Sequence, residues 1–471
     1  MKKLLNIILF LNISLFLFSQ NTNNDTIINL SLEQCVQMAI ESSFDLKIAE
    51  QTLQKAQAEK EVALSLYFPK IAANASATYM FQTLKIMQSI DGIVPQFDIS
   101  GAEIADAELK NLIQRGLNEL RSEIVGLWKP IEVSVKGAFF AGITLQQPIF
   151  AGGRIVTGNK MAKTGVDMAG ENLKLKKSEA IVEVQKMYWL YVSVREKVKL
   201  VKSYQSLLEE LEKLLTNVVD VEMINRNELL KLQVQHNAVR LQAKQAQAGL
   251  ELSRMALCQM IGVGYGSIII PTDTIVSVSE FNELPSNNAV LDRPEYKLMQ
   301  KLIQMKDGEM KLVRGEYLPT LALTATYGYM GNIEIMGSKD KPHNISNVMG
   351  VVSVPITAWW EGSKKIKSAK TDRTIAQLEF EKNSQLMELE IKQATYNAVH
   401  AYESIKNAEL ALEQAKENLR ISTDRYSVQM ETITDLMMAQ SGWQTAYSNL
   451  IDARIDYRIK EIEFLKAIGK L

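Results

Sequence analysis

PIFAGGRIVTGNKMAKT, residues 148–164, lies without a gap over PITAWWEGSKKIKSAKT, residues 355–371. The same offset of 207 pairs Glu183 with Glu390, Val221 with Val428, Met223 with Met430, Leu229 with Leu436, Gln233 with Gln440 and Ile261-Gly262 with Ile468-Gly469. One offset sustained over so long a stretch means two copies of one architecture. Upstream the offset becomes 250, with Ala39 on Ala289, Lys47 on Lys297 and Tyr67-Phe68-Pro69 on Tyr317-Leu318-Pro319. The difference is a 43-residue insertion in the first copy, between Gln82 and Pro130. The expected organisation is a leader at 1–19, a first repeat at 20–262 carrying an external insertion at 83–130, a linker at 263–288 and a second repeat at 289–471.

Breaker residues say what each copy is made of. All ten prolines avoid 149–270 and 356–471, and glycine is absent from 171–248 and 363–441. Such stretches predict very long helices. Val194, Val201, Leu208 and Leu215 recur every seven residues, with Tyr204, Leu211 and Val218 three further on. Ala398, Ile405, Leu412, Leu419 and Tyr426 repeat the pattern beside Ala401, Ala408, Ala415 and Ser422, so small residues line one row and allow close helix approach. Polar and β-branched residues interrupt the heptads at 217–227 and 423–434, where Asn225 and Thr432 can cap the next helix. Helices over about 155–216, 227–261 and 289–317 follow, and two short helices stacked end to end match one long one in an antiparallel barrel or bundle about 100 Å tall.

Between the Tyr-x-Pro and Pro-Ile marks the period changes to two. Ile71, Ala73, Ala75, Ala77, Tyr79 and Phe81 alternate with Asn74, Ser76, Thr78 and Gln82; Leu321, Leu323, Ala325, Tyr327 and Tyr329 alternate with Thr320, Thr324, Thr326 and Gly328. Residues 133–150 and 345–356 are expected to pair with them. Apolar on one side and polar on the other is the pattern of an outer-membrane barrel strand. Four strands cannot close a barrel, since such barrels begin at about eight. Identical chains must then share one, and Trp359, Trp360, Tyr327 and Tyr329 are candidates for aromatic girdles at the membrane interface.

Composition bounds the function. Lys+Arg 53 against Asp+Glu 54 leaves no basic field for nucleic acid. Three scattered histidines, His236, His343 and His400, with no convergent carboxylate or cysteine spacing, supply no metal or proton-relay site. No nucleophile triad or paired-carboxylate constellation is visible, so neither an enzyme nor a cofactor is expected. Lys2 and Lys3 precede an apolar stretch from Leu4 to Phe18 and then polar Ser19-Gln20-Asn21, the form of a secretory signal peptide. No later window is long and apolar enough for a transmembrane helix, so entry into a membrane must be as a β-barrel. Cys35 and Cys258 read as free core thiols, and Gly262-x-Gly264-x-Gly266 reads as a helix stop because it follows a helix instead of opening one.

These features resemble the TolC family of outer-membrane efflux proteins. The resemblance rests on the leader, the duplicated helix–strand–strand–helix–helix order, the Tyr-x-Pro marks, Gln147-Pro148-Ile149-Phe150-Ala151-Gly152-Gly153-Arg154 after a strand, and 426–440, YSVQMETITDLMMAQ. It implies a mainly α chain with β-barrel strands: long antiparallel helices of a periplasmic α-barrel plus four strands of a shared twelve-stranded barrel in outer-membrane lipid. It implies a homotrimer working with a periplasmic adaptor, or membrane fusion protein, and an inner-membrane pump of the RND or ABC type. The competing reading from the residues alone is a soluble periplasmic coiled-coil scaffold.

The resemblance places a gate at the helix-turn tips. Asp435 matches the first of the family's tip aspartates, and its first-copy counterpart is Glu228. Three copies of a carboxylate in a narrow pore favour cations, much as acidic rings do in channels. Thr432-x-x-Asp435 and Asn225-x-x-Glu228 also read as capping boxes, and both readings stand together. Tyr426 matches a tip tyrosine while occupying a heptad seam. The second aspartate position is Met438, the usual tip glycine is Gln429, and a basic tip position is Glu431. Asn225, Arg226, Gln429, Met430, Glu431 and Thr432 are the expected contacts for adaptor or pump. In the insertion, Ile104, Leu109, Leu112, Ile113, Leu117, Leu120, Ile124 and Leu127 follow helical spacing and predict an amphipathic helix on the outer side.

Overall fold

The computed structural model describes residues 27–86, 92, 94–104, 106–127, 133–220, 225–273, 280–281, 284–286, 288–331, 334–335, 338–339, 341–356 and 358–471. The leader, residues 221–224 of the first tip, parts of the insertion and linker, and the side chains of Phe81, Gln82, Val218 and Trp359 lie outside them. The chain forms two compact units, one from residues 1–60, 161–307 and 371–471 and one from 61–160 and 308–370.

The elements in order are β1 (Ile27–Leu30), α1 (Leu32–Ser42), α2 (Phe44–Ser65), β2 (Lys70–Ile86), α3 (Ala107–Leu127), β3 (Val133–Ala151), α4 (Arg154–Asp220), α5 (Arg226–Ile261), β4 (Ile268–Pro271), α6 (Ala289–Asp292), α7 (Pro294–Glu316), β5 (Thr320–Gly331), β6 (Glu334–Ile335), β7 (Ser338–Lys339), β8 (His343–Ser353), α8 (Trp359–Ser427) and α9 (Ile433–Ala467). The proline-free stretches hold α4 with α5 and α8 with α9, and the longer helix of each pair, α4 or α8, has 67 or 69 residues.

One expectation needs correction. The helix expected over 289–317 is two helices, broken at Arg293, whose backbone is extended at φ −66 and ψ 133. Pro294 is the cause: it lacks an N–H, and its ring drives the preceding residue out of the helical region while suiting the first position of α7. The first copy breaks at the equivalent Ser43, ψ 120, where the serine hydroxyl accepts from Leu46 N at 3.3 Å. Lys47 Nζ donates to Ser42 O at 3.4 Å and Lys297 Nζ to Asp292 O at 3.1 Å, so each break satisfies a free carbonyl the same way. Each copy's last helix stops against that break. Gly262, φ 75, leaves only 2.5 Å between a would-be Cβ and Ser42 Cβ, and Gly469, φ 72, meets Asp292 and Arg293 backbone at 3.0 and 3.1 Å. Only glycine combines this left-handed backbone with so close an approach.

The helical unit has a core where α1, α4, α5 and α9 converge. It buries Cys35, Ala39, Tyr188, Val192, Leu257, Cys258, Ile261, Ile269 and Ile451. Both thiols are free, and burial, followed by the charge of Asp273, pushes Cys35 up to about 12. The linker, expected as a plain connection, contributes β4, which pairs in parallel with β1 from Ile27↔Ile268 to Leu30↔Pro271. Asp273 closes this corner, its Oδ2 accepting from Leu32 N at 2.6 Å and from the Tyr188 hydroxyl at 2.7 Å.

In the other unit, β2, β3, β5 and β8 form an antiparallel sheet in that spatial order, with the short β6 and β7 continuing beside β3. Register puts Ile71, Leu145, Ala325 and Val348 in one row and Ala73, Ile143, Tyr327 and Ser346 in the next. The opposite face carries Asn74, Ser76, Thr78, Thr144, Gln146, Thr324, Thr326 and Asn347. Gly142 and Gly328 face each other under the Phe140 ring, and a Cβ on either would collide with the other's Cα at 2.8 or 2.7 Å. Among the described residues the outer edges of β2 and β8 have no partner strand.

Candidate functional site

At the helix-turn tips, α4, α5, α8 and α9 meet in one apolar cluster. Tyr204, Leu208, Leu215, Leu232, Ile433 and Leu436 are buried there, with Leu419 and Tyr426 packed against them. The heptads therefore do bring the two copies together at this end. Tyr426 is half-buried, and burial, then the nearby Glu228 charge, raise its phenol pKa.

The turn after α8 is a Schellman stop. Gln429 N donates to Tyr426 O at 3.0 Å and Met430 N to Arg425 O at 2.8 Å, with Gln429 held at φ 62. Gly262 and Gly469 end their helices with the same bond pair. Gln429 thus performs a glycine's conformational task in a residue with a Cβ. Glu431 turns back, bonding Ser422 Oγ and lying 3.4 Å from Arg425 Nη1, so the tip has an ion pair of its own despite the acidic residue at a basic position.

The capping readings divide. Thr432 and Asp435 form a complete box, which lowers the Asp435 pKa, chiefly through the Thr432 hydroxyl and then its N–H, with Lys231 adding a smaller attraction. Asn225 does cap α5, but its side chain accepts from Asn227 N at 3.0 Å, and Glu228 is not its reciprocal partner. Glu228 instead pairs with Lys231 at 2.9 Å, while its Oε2 is buried without a hydrogen bond. Lys231 acts on both acids. The sequence reading passed over it, although an acid and a lysine three apart on a helix were the available signal. Arg226, Met430 and Thr432 are exposed, as are Val428 and Met438.

The histidines hold a second correction. His236 Nδ1 lies 2.6 Å from Glu212 Oε2, joining α5 to α4, so a carboxylate does converge on it. The contact crosses between antiparallel helices 24 positions apart, beyond any local spacing rule. Tyr327 and Tyr329 share the apolar face of the sheet and are exposed, and Trp360 in the first turn of α8 is 85% exposed.

Residues 286–470 match the family model described as outer membrane efflux protein. No curated protein sequence matches the chain. Among solved structures, the fold is similar to the CmeC outer membrane channel of Campylobacter jejuni, at TM-score 0.72 and 17% identity, covering 96% of this chain and 90% of that one. It is also similar to the outer membrane protein VceC of Vibrio cholerae, at 0.70 and 14%, covering 93% and 96%. The open state of the MtrE outer membrane channel of Neisseria gonorrhoeae gives 0.69 and 17%, covering 93% and 88%. At these identities the structures establish the fold, and the family model places residues 286–470 with the outer membrane efflux proteins.

Proposed function

From the match of residues 286–470 to the outer membrane efflux protein family model, we propose that three copies of the chain form one channel-tunnel, the exit duct of a tripartite efflux or type I secretion system. The observation that carries this reading is the sheet: four long strands with one apolar face and, among the described residues, two unpaired edges. An edge of that length exposes a row of free N–H and C=O groups, and in lipid each would cost several kcal/mol. Sister copies pairing β2 against β8 seal every edge at twelve strands.

In this reading the first repeat spans 20–262, the linker 263–288 and the second repeat 289–471, with a signal peptide at 1–19. The tips carry the gate, with Asp435, Glu228 and Tyr426 around the pore. Asn225, Arg226, Gln429, Met430, Glu431 and Thr432 face a periplasmic adaptor and an inner-membrane pump. Exposed Val428 and Met430 give that contact an apolar anchor. Trp359, Trp360, Tyr327 and Tyr329 lie at the lipid interface.

Membrane fractionation and semi-native electrophoresis test the proposal. A detergent-extracted, heat-modifiable trimer that conducts ions in planar bilayers is expected. A stable water-soluble monomer overturns it in favour of a scaffold role.

A further inference from the structure

Beside the β1–β4 corner, a cavity of about 290 Å³ opens between α4 and α9 of the helical unit. That is close to the ~300 Å³ at which small-molecule sites begin. Val192 of α4, Leu450 and Ile451 of α9 and Pro271 of β4 give it an apolar lining, with Tyr447 alongside. Val192 and Ile451 are also members of the buried core, so this lining is part of the packed interior.

The charges in the wall do not cancel in place. Lys199 pairs with Glu196 at 2.6 Å, and Arg454 pairs with Glu409 of α8 at 2.8 Å. Nearby Lys197 pairs with Asp452 at 2.6 Å. Two lining charges are left over, Arg195 on α4 and Asp273 just after β4. Arg195 is half-buried, yet among the described residues no acid lies within ion-pair distance of it and no acceptor takes its N–H donors. Asp273 uses Oδ2 for both Leu32 N and the Tyr188 hydroxyl, and its Oδ1 accepts no bond among the described residues. Withdrawing charged groups from water without giving each a partner is costly, so the cavity wants both charges answered.

The leftover pair defines the ligand. Arg195 offers a planar fork that suits a carboxylate, Asp273 offers an oxygen that suits an ammonium, and the apolar lining takes a hydrocarbon chain or ring. A simple anion would answer Arg195 and add repulsion at Asp273, and a phosphate would add more. The two acyl chains of a zwitterionic phospholipid do not fit in such a volume. We propose that this cavity binds a small zwitterion with an apolar body, a free aliphatic or aromatic α-amino acid, with its carboxylate on Arg195, its ammonium on Asp273 and its side chain against Val192, Leu450 and Ile451. The bound molecule ties α4, α9 and the β1–β4 corner together. This site goes beyond the duct reading and does not rest on it.

Isothermal titration of L-phenylalanine into the detergent-extracted full-length protein tests the proposal. One site per chain is expected, with a thermal midpoint that rises with ligand concentration. N-acetylphenylalanine lacks the ammonium and phenylalaninamide lacks the carboxylate, and each should bind at least about tenfold more weakly. Arg195→Gln should weaken phenylalanine binding to the same degree, with wild-type migration on semi-native gels showing that the fold is kept. The analogue series uses the wild-type protein and decides the question even where a variant fails to fold. Neither heat nor a thermal shift at millimolar phenylalanine overturns the proposal. So does undiminished binding in a folded Arg195→Gln protein, and so does N-acetylphenylalanine binding as tightly as phenylalanine, which would mark a plain anion site.

Discussion

Thr432 and Asp435 exchange hydrogen bonds across the first turn of α9: Thr432 N donates to Asp435 Oδ2 at 3.1 Å, and Asp435 N donates to Thr432 Oγ1 at 3.2 Å. The Thr432 hydroxyl also donates to the same carboxylate oxygen at 2.7 Å. One Asp435 oxygen is thereby fixed in the cap, and the carboxylate's charge remains exposed. Capping and gating are compatible uses of one group.

Thr432→Ala should cost about 1 kcal/mol of local stability, read as faster proteolysis at the tip. Asp435→Ala should likewise speed proteolysis at the tip and in addition weaken block by multivalent cations in planar-bilayer recordings. Unchanged block leaves Asp435 with the cap alone. The pH dependence has a definite sign: the folded pKa lies below the ordinary carboxylate value. The cap's contribution is therefore complete above about pH 4, the unfolded value, and is lost as pH falls through the lower folded one. Tip protection measured from pH 7 to pH 3 should fall in wild type and stay flatter in Asp435→Asn.

Gln429→Gly should stabilise the α8–α9 turn. A left-handed backbone costs an L-residue roughly 1–2 kcal/mol that glycine avoids, less up to ~1 kcal/mol for the freer unfolded chain. Slower tip proteolysis with unchanged conductance is the expected result. A destabilised tip would show that the Gln429 side chain has a contact of its own.

The two helix stops should respond unequally. Alanine at Gly262 or Gly469 incurs the same left-handed strain, but Gly262 also drives a Cβ into Ser42 at 2.5 Å, against 3.0 Å or more at Gly469. Gly262→Ala should lower the thermal midpoint further than Gly469→Ala. Gly262→Ala with Ser42→Gly should recover the difference.

Asp273→Ala should destabilise the β1–β4 corner by about 1–3 kcal/mol, because it strips Leu32 N and the buried Tyr188 hydroxyl of a shared acceptor. Tyr188→Phe removes only one donor and leaves the hydroxyl's position apolar, so its cost should be smaller. Thermal unfolding of the two variants side by side checks the order.

Periodicity made the long helices and the sheet legible, because apolar residues every seven or every two positions are local signals. Asn225 and Thr432 were readable as caps for the same reason. The Pro294 break was written in the sequence but was outweighed by the helical pattern around it. What could not be read is what depends on partners far apart in the chain: the pairing of β1 with β4, the His236–Glu212 contact between α5 and α4, and the placing of Lys231 near Asp435. A four-residue strand such as Ile268–Pro271 has too little pattern to announce a mate.

The parallel pairing of β1 with β4 also bears on the order of assembly. Leu32 and Asp273 are 241 residues apart, and chains grow at about 5–20 residues per second. The first strand to be made must therefore wait roughly ten to fifty seconds for its mate, its backbone groups open to competitors throughout. A holding chaperone that shields the nascent amino-terminal segment for that interval should raise the yield of native protein more than one acting on the completed chain.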